Sequence, residues 1–369
     1  MTATRKGAIA GLMRTLGTVG AALLLGFIIT LFVSKQPVEA YRSFLLGPLM
    51  RINRIGNWIE ESITLILLGL AVCLVFNARQ FSLGAEGQFY LGALASGLVG
   101  LYLDLPAVLH ILLAVIAAAA AGFLWGLVPG MLKAYLNANE IVSSLMLNAI
   151  AVRIYNLILT YELKPPDVGY IVSDYFKPTA LLPRIIPNTR VTTAVFWPIV
   201  GVIVVYLLMY RTPFGYALRM TGANIKFAHY GGIDTKRVIY LTMAISGIFA
   251  ALAGAHTGMG IHQRVILNIG SGLGFEGIVV SLLARNNPLL VPLTGLLYGY
   301  LRAGADIMER SSDVTRELVM VIQAIIILLV TAEGFLSFLR RGARIPREPA
   351  AAPAGSTEPS GGKEAGDVA

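Results

Sequence analysis

Carboxylates beside apolar runs are the residues of this chain whose chemistry could matter most. Glu86 stands in Gly84-Ala85-Glu86-Gly87 and Glu276 in Gly274-Phe275-Glu276-Gly277; each tetrapeptide opens a short apolar segment. A charge at the centre of a bilayer costs about 2.5–3.5 kcal/mol on insertion scales, so such a group is paired, interfacial or in a water-filled path. Two roles suit these two. At broken-helix N-termini they would line a solute path. Alternatively, each would complement the dipole and free N–H groups of its helix start. Uncharged polar residues also fall inside apolar runs: Gln88, Ser143, Ser144, Asn148, Asn156 and Gln323. A neutral polar solute would need several of them facing one cavity, whereas interhelical hydrogen bonding accounts for any one alone.

Catalytic patterns are missing. The chain has no GxxxxGK[ST] loop, no HExxH, no CxxC and no GxSxG. Its four histidines are His110, His229, His256 and His262, and none is spaced as a metal ligand from a carboxylate helix. They read as interfacial or hydrogen-bonded residues. The single cysteine, Cys73, lies in an apolar run and reads as a small core residue. Neither a metal nor a cofactor is expected. No chain of carboxylates and histidines suggests a proton-driven pump.

The elements that must position these residues follow from composition. Of 369 residues, 56% are hydrophobic and 13% charged, against about 25% charged in soluble domains. Mean hydropathy is +0.73. A soluble globule of this composition would aggregate, and the apolar residues come in long runs, so the lipid bilayer is the solvent. Net charge is +9. The cations are spread over loops and ends, which fits headgroups and solvated loops rather than nucleic acid. The expected class is an all-α integral membrane protein with about ten transmembrane segments. Candidate spans are 16–33, 59–76, 88–103, 105–128, 141–160, 192–210, 238–258, 272–284, 289–303 and 317–335. The short, glycine-rich 88–103 and 272–284 read as broken or re-entrant helices, allowed where protein or a cavity satisfies the backbone.

Residues 34–57 suggest an amphipathic interfacial helix, and the proline-rich 161–191 a loop. Residues 1–340 form one polytopic domain, and 341–369 have the composition of a disordered tail. Positive charge flanking spans places both termini and 211–237 in the cytoplasm. The two Glu-containing tetrapeptides lie 190 residues apart and would then open segments of opposite direction. An inverted repeat predicts this, and so does chance in a glycine-rich chain.

Segment 211–237 carries Phe214, Ala217 and Leu218, then Ile225, Ala228 and His229, punctuated by Gly222 and Gly231–Gly232. These suggest short amphipathic helices outside the membrane. Their apolar faces would lie in a partner groove or on lipid headgroups.

Four stretches carry a resemblance: FNARQFSLGAEGQFYLGAL at 76–94, NANEIVSSLMLNAIA at 137–151, TPFGYALRMTGANIKFAHYGGI at 212–233 and SGLGFEGIVVSLLARNNPL at 271–289. In order and spacing they resemble the permease subunit of bacterial ABC importers of the ribose/branched-chain amino-acid class, nearest the nucleoside or simple-sugar branch. The match spans about residues 16–335. Ser82 stands where the family often has asparagine, with Arg79 and Gln80 just before it. The resemblance implies a non-catalytic pore subunit of the bacterial inner membrane. Its partners would be separate ATP-binding cassette subunits, a second permease, identical or related, and an extracytoplasmic solute-binding protein docking near 161–191. Segment 211–237 would hold the coupling helix, with Phe214, Arg219, Gly222, Asn224, Ala228, Gly232 and Ile233 in the family pattern.

The expected mechanism is alternating access driven by the partner ATPases. Glu86, Gln88, Asn148, Phe275, Glu276 and Gln323 are the expected path residues. The rival readings are a branched-chain amino-acid importer permease, an ATP-independent secondary carrier, and a membrane scaffold or enzyme.

Overall fold

The computed structural model describes residues 24–32, 34–166, 168–187, 189–270, 272–315, 319–321 and 324–325. Residues 24–32 are helical. Helix α1 (Pro37–Leu46) follows, with a 3₁₀ turn at Gly47–Leu49, and then α2 (Ile52–Asn77), α3 (Ala85–Tyr102), α4 (Ala107–Leu136) and α5 (Glu140–Ile158). A wide turn, Leu159–Leu163, extends α5. After a loop come α6 (Phe196–Arg211), α7 (Pro213–Ala223), α8 (Ile225–Tyr230), α9 (Thr235–His256), α10 (Leu273–Leu283) and α11 (Val291–Ser311).

The local signals for these boundaries are conventional. Asn139, Thr212, Asn224 and Asp234 each accept a backbone N–H of the helix they precede. Asn137, at φ 51°, closes α4.

The structure departs from the expected spans in three places. The helix expected over 34–57 stops at Leu49, because residues 52–57 already belong to α2. Residues 88–103 form most of the eighteen-residue α3, which opens earlier than expected, at Ala85, and ends at Tyr102. The chain is not wholly helical, since β1 (Val172–Tyr175) pairs antiparallel with β2 (Arg264–Ile266). The candidate span at 317–335, the start of 16–33 and the tail lie largely or wholly outside the described residues.

Among the described residues, five helices are long and apolar enough to cross a membrane: Ile52–Asn77, Ala107–Leu136, Glu140–Leu163, Thr193–Arg211 and Thr235–His262. Helix α10, with eleven residues, is too short, and α11 carries Arg302, Asp306, Glu309 and Arg310.

Two helices form the centre. The apolar windows of Ile52–Asn77 and Thr235–His262 are 83% and 72% buried, against 22–28% for the other three. Helix α2 packs on α9, α10 and α11, while α9 packs on α2, α3 and α4. Small residues permit both sets of crossings. Ala114, Ala118, Gly122, Gly126 and Gly130 form one buried stripe along α4. A Cβ at Gly122 would overlap the carbonyl oxygen of Gly247 on α9, and one at Gly130 would lie 2.7 Å from Tyr240 Cα. Gly295 and Gly299 bring α11 equally close to Ile66 and Ser62 of α2. Lipid tails are as apolar as leucine, so close backbone approach of this kind drives helix association in membranes.

The loops meet at two opposite ends. At one, Asn77 Nδ2 donates to Asn286 O at 2.7 Å, and Lys133 pairs with Glu140 at 2.7 Å. At the other, Lys177 pairs with Asp104 at 2.5 Å, His110 bonds Thr179 at 2.9 Å, and β1 meets β2.

Candidate solute path and coupling segment

The starts of α3 and α10 meet tip to tip. Glu86 Oε1 accepts the Gly272 N–H at 3.2 Å. A Cβ on Gly274 would lie 2.6 Å from Glu86 Cβ, so only glycine allows the approach. Glu86 therefore answers the free N–H of the other helix start. Helix α5 holds this junction in place. Asn148 Oδ1 accepts the Gly87 N–H at 2.9 Å, its Nδ2 donates to Leu83 O at 2.7 Å, and Ser144 Oγ accepts the Leu83 N–H at 3.0 Å. The irregular backbone before α3 is thus satisfied by side chains of α5, as non-helical backbone at membrane depth requires.

Beside the junction lies an open groove of about 430 Å³, lined by Glu86, Asn148, Arg153, Asn156 and Phe275 among apolar residues of α5. Three of the six expected path residues, Glu86, Asn148 and Phe275, come together there. Gln88 does not: it is 3% exposed, wedged between Gly126 and Gly247. Gln323 lies outside the described residues.

Glu276 belongs to a second cluster. Arg302 Nη1 donates to Glu276 Oε2, and Arg302 Nε lies 3.3 Å from Glu61 Oε2, so one guanidinium joins α2, α10 and α11. Glu61 also faces a cavity of about 350 Å³ with Arg54, Arg190, Asp306 and Arg310.

A fully buried network lies nearby. His256 Nε2 donates to Glu60 Oε2 at 2.7 Å, and Glu60 Oε1 accepts the Thr192 N–H at 2.6 Å and its hydroxyl at 3.1 Å. His256 Nδ1 lies 3.0 Å from Thr64 Oγ1.

Segment 211–237 folds as a platform on the Asn77 end of the bundle. Thr212 Oγ1 caps α7 through the Gly215 N–H at 3.0 Å. Phe214 and Ile233 pack on the small core of Ala78, Leu218 and Val238. Gly222 is buried against Asn77 O. Arg219 stacks over the Tyr210 ring at 5.0 Å. Asn224 Oδ1 caps α8 through the Phe227 N–H at 3.1 Å, Ala228 is 1% exposed, and Gly232 turns the chain at φ +81°. Six of the seven expected coupling residues thus build or seat the platform, and Arg219 flanks it on α7. Its outward face consists of Tyr216, Ile225, Phe227 and Tyr230, the last 88% exposed.

Arg153 and Asn156 join the groove beyond the six expected path residues, and sequence pattern does not single out Glu60, Glu61 or Arg302. Charge or amide inside an apolar run was their only available signal. The outward aromatics of α8 share a short helix with motif residues, and helical spacing alone does not separate outward from inward there.

A family model, described as branched-chain amino acid transport system / permease component, matches residues 54–331. The guanosine ABC transporter permease protein NupP of Bacillus subtilis (strain 168) is 33% identical over 320 residues, covering 86% of this chain and 92% of that protein. The glucose ABC transporter permease protein TsgB13 of Haloferax volcanii is 31% identical over 350 residues, covering 92% of each. The nucleoside ABC transporter permease protein NupB of Lactococcus lactis subsp. cremoris is 26% identical over 326 residues, covering 86% and 89%. With its several apolar helices, the chain is a multi-pass protein of the inner membrane. By the extent of these matches it belongs to the branched-chain amino acid transport system permease family, and within it resembles the nucleoside and sugar permeases.

Proposed function

We propose that the protein is the pore subunit of an ATP-driven importer that moves a nucleoside or simple sugar into the cytoplasm by alternating access. The observation that carries this reading is the α7–α8 platform. It stands outside the bundle on the ends of α2, α6 and α9, and it turns aromatic side chains away from the protein. A short helix presenting such a face fits a groove on another protein. Separate ATP-binding cassette subunits would dock there, hydrolyse ATP and tilt α2 and α9 through the platform.

The rest of the arrangement follows from that docking. The Asn77 end is cytoplasmic, both termini lie on that side, and ten crossings span residues 1–340, with 341–369 as a cytoplasmic tail. The junction of α3 and α10, with Glu86, Asn148 and Phe275, borders the path, which closes against a second permease. A solute-binding protein delivers the solute to the Asp104 end. An inverted repeat is supported by the packing: α2 with α10 and α11 mirrors α9 with α3 and α4, each with a glycine stripe at the crossing. The names of the relatives, guanosine, nucleoside and glucose permeases, favour a neutral hydroxylated solute.

Reconstitution of the permease with its ATPase and binding protein in vesicles tests this. Solute uptake should require ATP and all partners. Uptake without an ATPase, driven by an ion gradient, would establish a secondary carrier instead.

A further inference from the structure

Most of α5 is uncovered, yet part of its surface is unlike a lipid-facing helix. Arg153 lies about 20 Å along α5 from Glu140 at 1.5 Å per residue. It is exposed and makes no ion pair among the described residues. Asn156 stands three residues on, on the same face, and its Oδ1 is buried with no hydrogen-bond partner. A buried amide oxygen left unpaired costs free energy that a ligand donor would recover. Across the groove, Phe275 at the start of α10 is 47% exposed, and Glu86 stands at the start of α3. Asn148 lines the groove too, but both ends of its amide hold Leu83 and Gly87. The groups left to meet a solute are a guanidinium, an amide, a carboxylate and an aromatic face.

Resting on the importer reading above, we infer that this groove holds the solute in transit and is built for a nucleoside. The lining between the polar groups is apolar, with Leu145, Ala149 and Val152. A hexose carries hydroxyls on nearly every carbon and would leave several unpaired against such walls. A nucleoside has flat apolar faces and a polar edge. Its base stacks on Phe275, its ring nitrogens and carbonyls accept from Arg153, its exocyclic amine or ring N–H donates to Asn156 Oδ1, and its ribose hydroxyls donate to Glu86. A branched-chain amino acid would satisfy Arg153 and Glu86, but it has no aromatic face for Phe275 and its short apolar side chain brings no donor to Asn156.

The test is photolabelling of the complete importer in lipid vesicles with 8-azidoadenosine, mapped by peptide mass spectrometry. Label is expected on α5 near Arg153 and at the start of α10, competed by unlabelled nucleosides but not by glucose or leucine. Phe275→Leu and Asn156→Ala should each reduce it about fivefold, the loss of one stacking or hydrogen-bonding contact. Phe275→Trp keeps the aromatic face and should retain label. Label elsewhere, no competable label, equal competition by glucose or leucine, or undiminished label in both Phe275→Leu and Asn156→Ala would overturn the inference. ATP-dependent uptake in the same vesicles separates the two readings. Uptake of glucose or leucine without nucleoside uptake defeats this inference alone, and no ATP-dependent uptake of any solute defeats the importer reading.

Discussion

His256 Nε2 lies 2.7 Å from Glu60 Oε2 across 196 positions of sequence, and both side chains are almost wholly buried. The pair ties α9 to α2, and through the second Glu60 oxygen it ties both to the backbone of Thr192 just before α6. Three elements therefore share one carboxylate.

Removing one partner of this pair leaves the other buried and unanswered. His256→Ala is expected to destabilise the protein by about 3–5 kcal/mol, the usual cost of breaking a buried pair from one side. Thermal unfolding in detergent or nanodiscs measures it. A variant as stable as the parent would show that the network is not holding the helices together.

Asp313, just past α11, is a pH-sensitive tie outside the spans. The Ser34 hydroxyl donates to it at 2.5 Å and the Lys35 N–H at 2.7 Å. These bonds hold its carboxyl below the ordinary aspartate range. A group whose folded pKa is lowered contributes stability above its unfolded value, about 3.9, and loses it as pH falls through the folded value. Asp313→Asn should therefore be less stable than the parent above that unfolded value, and the two melting curves should converge at the acid end.

The glycine stripe on α4 leaves no room for side chains. A Cβ on Gly122 meets the backbone of Gly247, which cannot move as a flexible side chain would. Gly122→Ala should cost about 1–3 kcal/mol by overpacking, read as a lowered melting temperature. Gly169, where a Cβ would meet nothing within 4 Å, supplies the control; its replacement by alanine should change stability by less than about 0.5 kcal/mol.

The platform divides into seat and face. Phe227 and Tyr230 are exposed, so Phe227→Ser with Tyr230→Ser should leave melting within about 0.5 kcal/mol of the parent. The same change should abolish co-purification with the ATPase and uptake. Gly232→Val, at a positive φ that a β-branched residue adopts only with strain, should preserve the spans and weaken coupling. Normal uptake in both variants would remove the platform from the mechanism.

Much of this was legible in the sequence because the information was local. The bilayer as solvent, the five long apolar helices, the platform between α6 and α9 and the two glycine-flanked helix starts follow from composition, apolar runs and turn residues, each a property of neighbours along the chain. Partnership between distant residues was not legible. Long α4 is apolar on nearly every side, so its pattern names no buried face; only close approach to α9 selects Ala114, Ala118, Gly122, Gly126 and Gly130. Likewise, Glu86 and Glu276 share a sequence setting, yet Glu86 meets the start of α10 while Glu276 meets Arg302. Which carboxylate finds which donor depends on how helices cross, and helix crossing is fixed by shape complementarity between elements far apart in the chain, a quantity that no local spacing encodes.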